Sequence, residues 1–308
     1  MMQAESPGFI RMTRAQGLLA TFLPLSLALT AAFLITGEVK IVGFLLALSI
    51  GSFLHLAMNI YNDVYDTRSG ADTLDSSKSM FSGGSGVLIE HPNLESNMLL
   101  MARTFILLAL LSALFLALMS DGGLTVYIIL ITLAGAFFAK YYSAPPIKLS
   151  YRGLGEAAVF ISFGPLAVTM GALSQGLIWD PLFLAIMPVT GLVPLIVTWN
   201  GQIVDLPYDE RVGKMGLVMH LGLDRALAMM PVLHLLLIAS LVNLVLISPS
   251  GWILASVLVP YTLLMVVGVG SMMTGGEERL YRGASLNFAS LVILSICIIA
   301  AFPLASIL

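Results

Sequence analysis

Apolar residues gather into nine long runs, near 17–36, 41–61, 98–119, 124–140, 157–176, 181–199, 226–247, 252–272 and 284–306. Each is close to the ~20 apolar residues an α-helix needs to cross the hydrocarbon of a bilayer. The pattern predicts an all-α membrane protein with about nine transmembrane helices in a single integral-membrane domain over residues 1–308. No small-residue cleavage site follows the first run, so it reads as a retained helix and not as a signal peptide.

Composition sharpens this picture. Of 308 residues, 58% are hydrophobic and only 10% charged, against roughly 25% charged in soluble domains. That excludes a soluble multidomain enzyme, a disordered chain and a disulfide scaffold. A net charge of −3 leaves nucleic acid without the basic surface it needs. The single cysteine, Cys297, lies in an apolar run and has no partner for an internal disulfide. No segment signals an obligatory protein partner.

Charge also orients the chain. With nine spans drawn, 13 of the 14 Lys and Arg fall at the N-terminus and in the 2–3, 4–5, 6–7 and 8–9 connections, and only Lys40 falls opposite. The positive-inside rule places the N-terminus and those loops in the cytoplasm. Trp179 and Trp252 then sit at the outer interface. Acidic residues need not follow this rule, yet 14 of 17 share the same side. The outer turns carry little chemistry, so the cytoplasmic side of a cell-membrane protein is where a site is expected, above all around the long 2–3 loop.

Two constellations stand there. The second helix leads into His55, Asn59, Asn62 and Asp66, spaced to stack on one helical face with Asp63 beside it, followed by Arg68, Gly70 and Asp72. The sixth leads into Asn200, Asp205, Asp209, Arg211, Gly213 and Lys214, with Pro207 a potential kink. Polar groups so near hydrocarbon normally face a bundle interior or a water-filled cavity. Paired carboxylates from two helices suit hard divalent cations such as Mg²⁺, which complete their shell with phosphate oxygens. Carboxylates alone would repel a diphosphate. Metal reverses that sign, with Arg68, Lys78, Lys148, Arg211 and Lys214 as further cations. The bland alternative is a set of solvated loop charges.

The 4–5 connection carries Tyr142, Pro145, Pro146, Lys148, Arg152, Gly153, Gly155 and Glu156. Alone it reads as a basic anchor with interfacial tyrosines, and beside the aspartates as a phosphate contact. Ser82 to Gly86 lacks the Lys-Ser/Thr of a phosphate-binding P-loop and reads as a flexible loop. His55 is a metal ligand, a base or a hydrogen-bonded interior residue, whereas His234 and Cys297 read as packing.

Together these residues resemble the UbiA superfamily of intramembrane prenyltransferases. Asn62-Asp63-x-x-Asp66-x-x-x-Gly70-x-Asp72 is similar to its first aspartate-rich motif and Asp205-x-x-x-Asp209-x-x-x-Gly213-Lys214 to its second. Gly70 followed by Asp72, with Asn200 before Asp205, resembles the branch acting on 1,4-dihydroxy-2-naphthoate. Ser77 to Phe81 and Met215-Gly216 depart from the usual pattern. The resemblance implies a bundle around a central cavity open to lipid, and two Mg²⁺ held by Asp63, Asp66, Asp72, Asp205 and Asp209 against an isoprenyl diphosphate. It implies prenyl transfer to an aromatic quinone precursor, and Asn59, Asn62, Arg68, Lys78, Tyr142, Lys148, Arg152, Asn200, Arg211 and Lys214 are the candidates for contacts to the diphosphate or the acceptor. Rival expectations are a non-quinone lipid acceptor of the ether-lipid, haem or chlorophyll type, and a cation-coupled transporter with intramembrane carboxylates.

Overall fold

The computed structural model describes residues 7–72, 84–248 and 251–307. Among these, nine helices are long and apolar enough to cross a membrane: α1 (Ala15–Thr36), α2 (Ile41–Ser69), α3 (Pro92–Met119), α4 (Gly122–Tyr141), α5 (Gly155–Ser174), α6 (Pro181–Val212), α7 (Leu223–Ile247), α8 (Trp252–Met273) and α9 (Glu277–Pro303). Short helices at Phe9–Thr13, Val87–Glu90 and Leu217–Leu221 flank the spans on the side expected to be cytoplasmic. The described residues form no extended strand.

Every expected span is present, but α2 and α6 run past the apolar ends at 61 and 199, to Ser69 and Val212. Hydropathy stops where polar residues begin, whereas a helix stops where its backbone is capped. Both overruns end on a glycine in the left-handed region, Gly70 (φ 83°) and Gly213 (φ 66°), where a side chain would be strained. α6 remains helical through Pro188, Pro194 and Pro207. Asp205 and Asp209 therefore keep their one-turn spacing.

Apolar side chains cover the outward surface, including Leu107, Phe115 and Leu118 of α3 and Leu235 and Leu246 of α7. Lipid removes the usual gain from burying such groups, so close packing of small residues holds membrane helices together. Ala28, Ala31 and Ala32 of α1 are fully buried. α8 and α9 approach so closely that a Cβ on Gly283 would lie 2.6 Å from the Gly268 carbonyl oxygen. One core joins α1 and α5 to α6 through α9, a second joins α1 through α5, and a third packs the lower half of α2 on α3. The second and third anchor the two ends of α2, leaving its polar face turned to the interior.

Candidate active site

That face of α2 opens on a cavity of about 480 Å³ bounded by the N-terminal segment, α2, α5, α6 and the loops beneath them. His55, Asn59, Asn62 and Asp66 all line it, as their +4, +7 and +11 spacing requires. Asp205 and Asp209 face it from α6.

Asp66, only 3% exposed, is the meeting point. Its Oδ1 accepts from the Tyr151 hydroxyl at 2.7 Å, and its Oδ2 accepts from Asn62 Nδ2 at 2.9 Å and Lys214 Nζ at 3.0 Å. Lys214 Nζ also stands 3.7 Å from Asp209 Oδ1, so one ammonium joins the two motifs. Gly213 makes this possible: its left-handed turn folds the chain back until the Lys214 N–H reaches the Asp209 carbonyl at 3.0 Å. Burial works against the charge on Lys214, but the attraction of Asp66 and then Asp209 prevails and raises its pKa well above the ordinary value.

Asp63 is buried beside this centre. It accepts from the Arg14 guanidinium at 3.4 Å and from the Ser85 N–H at 3.2 Å. Asp72 accepts from the Gly84 N–H at 3.0 Å. The Gly84 and Ser85 amides thus turn toward carboxylates. A Cβ on Gly84 would collide with the Asp72 carboxylate, so this close approach requires glycine. Burial, together with the like charges of Asp66 and Asp63, pushes the Asp72 carboxyl up to about 7.

The basic residues sort differently from the sequence expectation. Of the expected cations among the described residues, only Lys214 lines the cavity. Arg68 pairs with Glu95 at 2.6 Å on the exposed surface. Lys148 covers the Tyr151 ring, Arg152 donates to the Pro146 carbonyl and Arg211 lies over the Tyr208 ring. None of these four is in the cavity wall. Lys78 lies outside the described residues. Arg11 and Arg14 stand in the wall instead. Arg14 holds a left-handed backbone (φ 51°), unusual for a side chain of its size, and donates to Asn62 at 3.2 Å as well as to Asp63. Asn59 secures that turn by donating to the Thr13 and Arg14 carbonyls.

Two other expected contacts are also placed. Tyr142 lines the cavity. Asn200 is fully buried and directed at α9, donating to the Ala284 carbonyl at 2.9 Å, and it does not line the cavity. Its pairing in the sequence with Asn62 therefore does not extend to its position. His55 is hydrogen-bonded to Thr21 at 2.8 Å and meets Phe163 edge-on, apart from the aspartates. His234 bonds the Tyr261 hydroxyl inside the bundle, as a packing residue.

Residues 21–291 match the model of the UbiA prenyltransferase family. The chain belongs to that family. It is similar to the 1,4-dihydroxy-2-naphthoate octaprenyltransferase of Mycobacterium tuberculosis, 31% identical over 234 residues that make up 76% of this chain and 76% of the relative. The Bacillus subtilis protein of the same name is 27% identical over 223 residues, 71% of this chain and 68% of the relative. A UbiA homolog from Archaeoglobus fulgidus, solved bound to GPP and Mg²⁺, shares the fold with a TM-score of 0.64 at 18% identity, covering 94% of this chain and 99% of that one.

In this prenyltransferase the donor set of the cavity suits Mg²⁺, since it offers carboxylate oxygens from opposite walls and water access between them. Among the described residues no three acidic, cysteine or imidazole groups converge tightly enough to hold an ion in the present geometry. Lys214 and Arg14 neutralise the carboxylates instead. A second, apolar annex of about 80 Å³ branches away along α2, bounded by Leu25, Ala47, Ile50, Leu54, Gly135 and Met170. It shares His55, Met58 and Phe163 with the main cavity. Phe163 reaches this junction from a π-helical turn at Ser162–Leu166, the kind of helix irregularity that recurs at functional sites.

Proposed function

We propose that this prenyltransferase moves an isoprenyl group from its diphosphate to 1,4-dihydroxy-2-naphthoate or a related aromatic quinone precursor, with Mg²⁺, at the cytoplasmic face of the cell membrane. The observation that carries this reading is the pair of aspartate motifs on α2 and α6, facing each other across one cavity and joined by Lys214. The naphthoate acceptor rests on the names of the curated relatives, which favour it over ether-lipid, haem or chlorophyll acceptors. The lysine and arginine asymmetry supports the cytoplasmic placement. The acidic residues, 14 of 17 on that same side, favour an enzyme over a transporter, whose polar groups would serve both faces.

Asp66 and Asp72 on one wall, with Asp63 buried behind them, and Asp205 and Asp209 on the other would hold two Mg²⁺. When bound, the metal supplies Lewis-acid stabilisation to the departing diphosphate. Lys214 and Arg14 place fixed positive charge where the C1–O bond breaks and negative charge develops on the diphosphate. The rings of Tyr142, Phe163, Tyr208 and Phe288 line the cavity and would face the allylic cation, shielding it from the water around the carboxylates. The acceptor ring carbon then bonds C1, and the ring loses a proton, or carbon dioxide from a carboxylated ring. Tyr151 and Asn62 orient Asp66 throughout.

Arg14→Gln is expected to raise the KM for the prenyl diphosphate about tenfold with a smaller effect on kcat, because it removes one charge-assisted contact and keeps the Asp63 side free of steric change. Steady-state assays in detergent check this. The annex offers the tail an apolar path past His55. Gly135→Leu fills it from the α4 side, where even a Cβ would lie 2.8 Å from Leu54. Activity is expected to fall with long isoprenyl donors and to persist with the dimethylallyl donor, which a chain-length series measures.

The deciding experiment incubates purified protein with isoprenyl diphosphates of several lengths, a panel of naphthoate, hydroxybenzoate and lipid acceptors, and Mg²⁺ or EDTA, with products read by mass spectrometry. A Mg²⁺-dependent prenylated naphthoate is expected. Turnover of a different acceptor alone would overturn the acceptor assignment, and absence of diphosphate consumption would overturn prenyl transfer.

A further inference from the structure

Glu156 opens α5 with its side chain 3% exposed, yet it does not line the cavity. Its Oε1 accepts from the Leu217 N–H at 3.2 Å, while its buried Oε2 has no hydrogen-bond partner. A carboxylate sequestered with one oxygen unsatisfied is costly to keep, and the bond it does make ties the start of α5 to the short helix after α6, joining the far ends of two loops.

Those loops carry the groups that converge on Asp66. The 4–5 loop brings Tyr151, which donates to Asp66 Oδ1, and the segment after α6 brings Lys214, which donates to Oδ2. Beyond Lys214 the chain must be held, because Gly213 ends α6 in a left-handed turn that leaves no helix to support it. The Glu156–Leu217 hydrogen bond lies three residues after Lys214. Around it, Arg152 and Met215 pair in a parallel backbone bridge, and Gly153 packs where a Cβ would be in van der Waals contact with the Met215 carbonyl, at 3.9 Å, and the His220 ring, at 3.6 Å.

We propose that Glu156 is a positioning residue that locks the segment after α6 onto the 4–5 loop, so that Lys214 and Tyr151 approach Asp66 together. It acts through Lys214 and touches no reacting atom. The assignment rests on the prenyl-transfer reading for its catalytic consequence, and on the hydrogen-bond geometry alone for its mechanical one.

Four variants test it. Glu156→Ala removes the acceptor, Glu156→Gln keeps an accepting oxygen, and Leu217→Pro removes the donor from the other side. Proline is tolerated at the first helical position, and Gly216 already has the extended conformation (φ −64°, ψ 169°) that precedes proline. The fourth combines Glu156→Ala with Lys214→Met. Glu156→Ala and Leu217→Pro are expected to raise the KM for the prenyl diphosphate about 10- to 100-fold, as sub-ångström to ångström misplacement of a catalytic contact does. The acceptor KM stays within about twofold, and Glu156→Gln returns the diphosphate KM to within about threefold of wild type. The double variant is expected to be no worse than Lys214→Met alone, since both act on one contact.

Hydrogen exchange without substrate supplies the readout independent of turnover. Amides of residues 213–222 should exchange faster in Glu156→Ala and Leu217→Pro, with the spans unchanged. Unaltered exchange in both variants, multiplying effects in the double variant, or equal rises in both KM values would overturn the proposal. If Glu156→Ala does not fold, Leu217→Pro and Glu156→Gln decide it. Faster exchange beside a wild type that consumes no diphosphate would leave the tie standing and remove the prenyl-transfer reading.

Discussion

Asp66→Asn is expected to reduce prenyl transfer by a factor of about 10³ or more, the range lost when a preorganised charge contact at a reacting centre is removed. Three donors converge on this carboxylate, from Tyr151, Asn62 and Lys214. An amide can accept through only one of its two atoms, so its NH₂ must face at least one of these donors. The substitution also removes the negative charge that both a divalent cation and Lys214 require. Side-chain volume is nearly unchanged, and the variant should remain a folded protein in detergent. Turnover by chromatographic product assay, set beside the thermal unfolding midpoint, separates the two effects. Activity within tenfold of wild type would remove Asp66 from the centre of the reaction.

Lys214→Met should act on stability as well as on catalysis, and the two effects should respond oppositely to metal. Without Mg²⁺, Lys214 is the cation on Asp66 at 3.0 Å and on Asp209 at 3.7 Å. Removing one partner of a fully buried ion pair costs about 3–5 kcal/mol. The Lys214 side chain is 18% exposed, so about 2 kcal/mol is the reasonable figure after allowing for screening. That corresponds to a midpoint lowered by about 3 °C in EDTA for a chain of this length. Saturating Mg²⁺ should recover most of this, because the ion supplies the missing charge. Catalysis should not recover: the KM for the prenyl diphosphate is expected to rise about 100-fold, as for loss of a charge-assisted contact. Arg68→Ala is the matched control. Its guanidinium is engaged with Glu95 on the surface, and it should change the KM by less than about twofold. Equal effects of the two substitutions would show that net charge, and not the Lys214 contact, governs binding.

Arg68 and Arg14 show why basic residues were harder to place than acidic ones. Acidic groups on α2 and α6 are legible because helical periodicity assigns a face, and a carboxylate at the hydrocarbon edge has few reasons to be there except a polar interior. A cation on the same side always has a second reason, the positive-inside rule. Arg68, Lys148, Arg152 and Arg211 have the right charge and the right neighbours in sequence but are held outside the cavity wall, by Glu95, the Tyr151 ring, the Pro146 carbonyl and the Tyr208 ring. Arg14, read only as a topological charge, enters the cavity through a left-handed turn that Asn59 holds from a separate helix. Asn200 fails in the complementary way. Its motif position resembles that of Asn62, but the rotation of α6 turns it into the interface with α9.

The local order of the chain therefore determined what depends on one helix at a time. Nine runs of apolar residues require nine spans, because an unpaired backbone in hydrocarbon is too costly. The spacing His55, Asn59, Asn62, Asp66 requires one polar face. Tertiary structure decided which charges meet across helices: Lys214 between Asp66 and Asp209, Tyr151 on Asp66, the amides of Gly84 and Ser85 on Asp72 and Asp63, and Glu156 on Leu217. Those pairings join residues far apart in the chain, and helix rotation and loop path, which no local pattern encodes, bring them within hydrogen-bond distance.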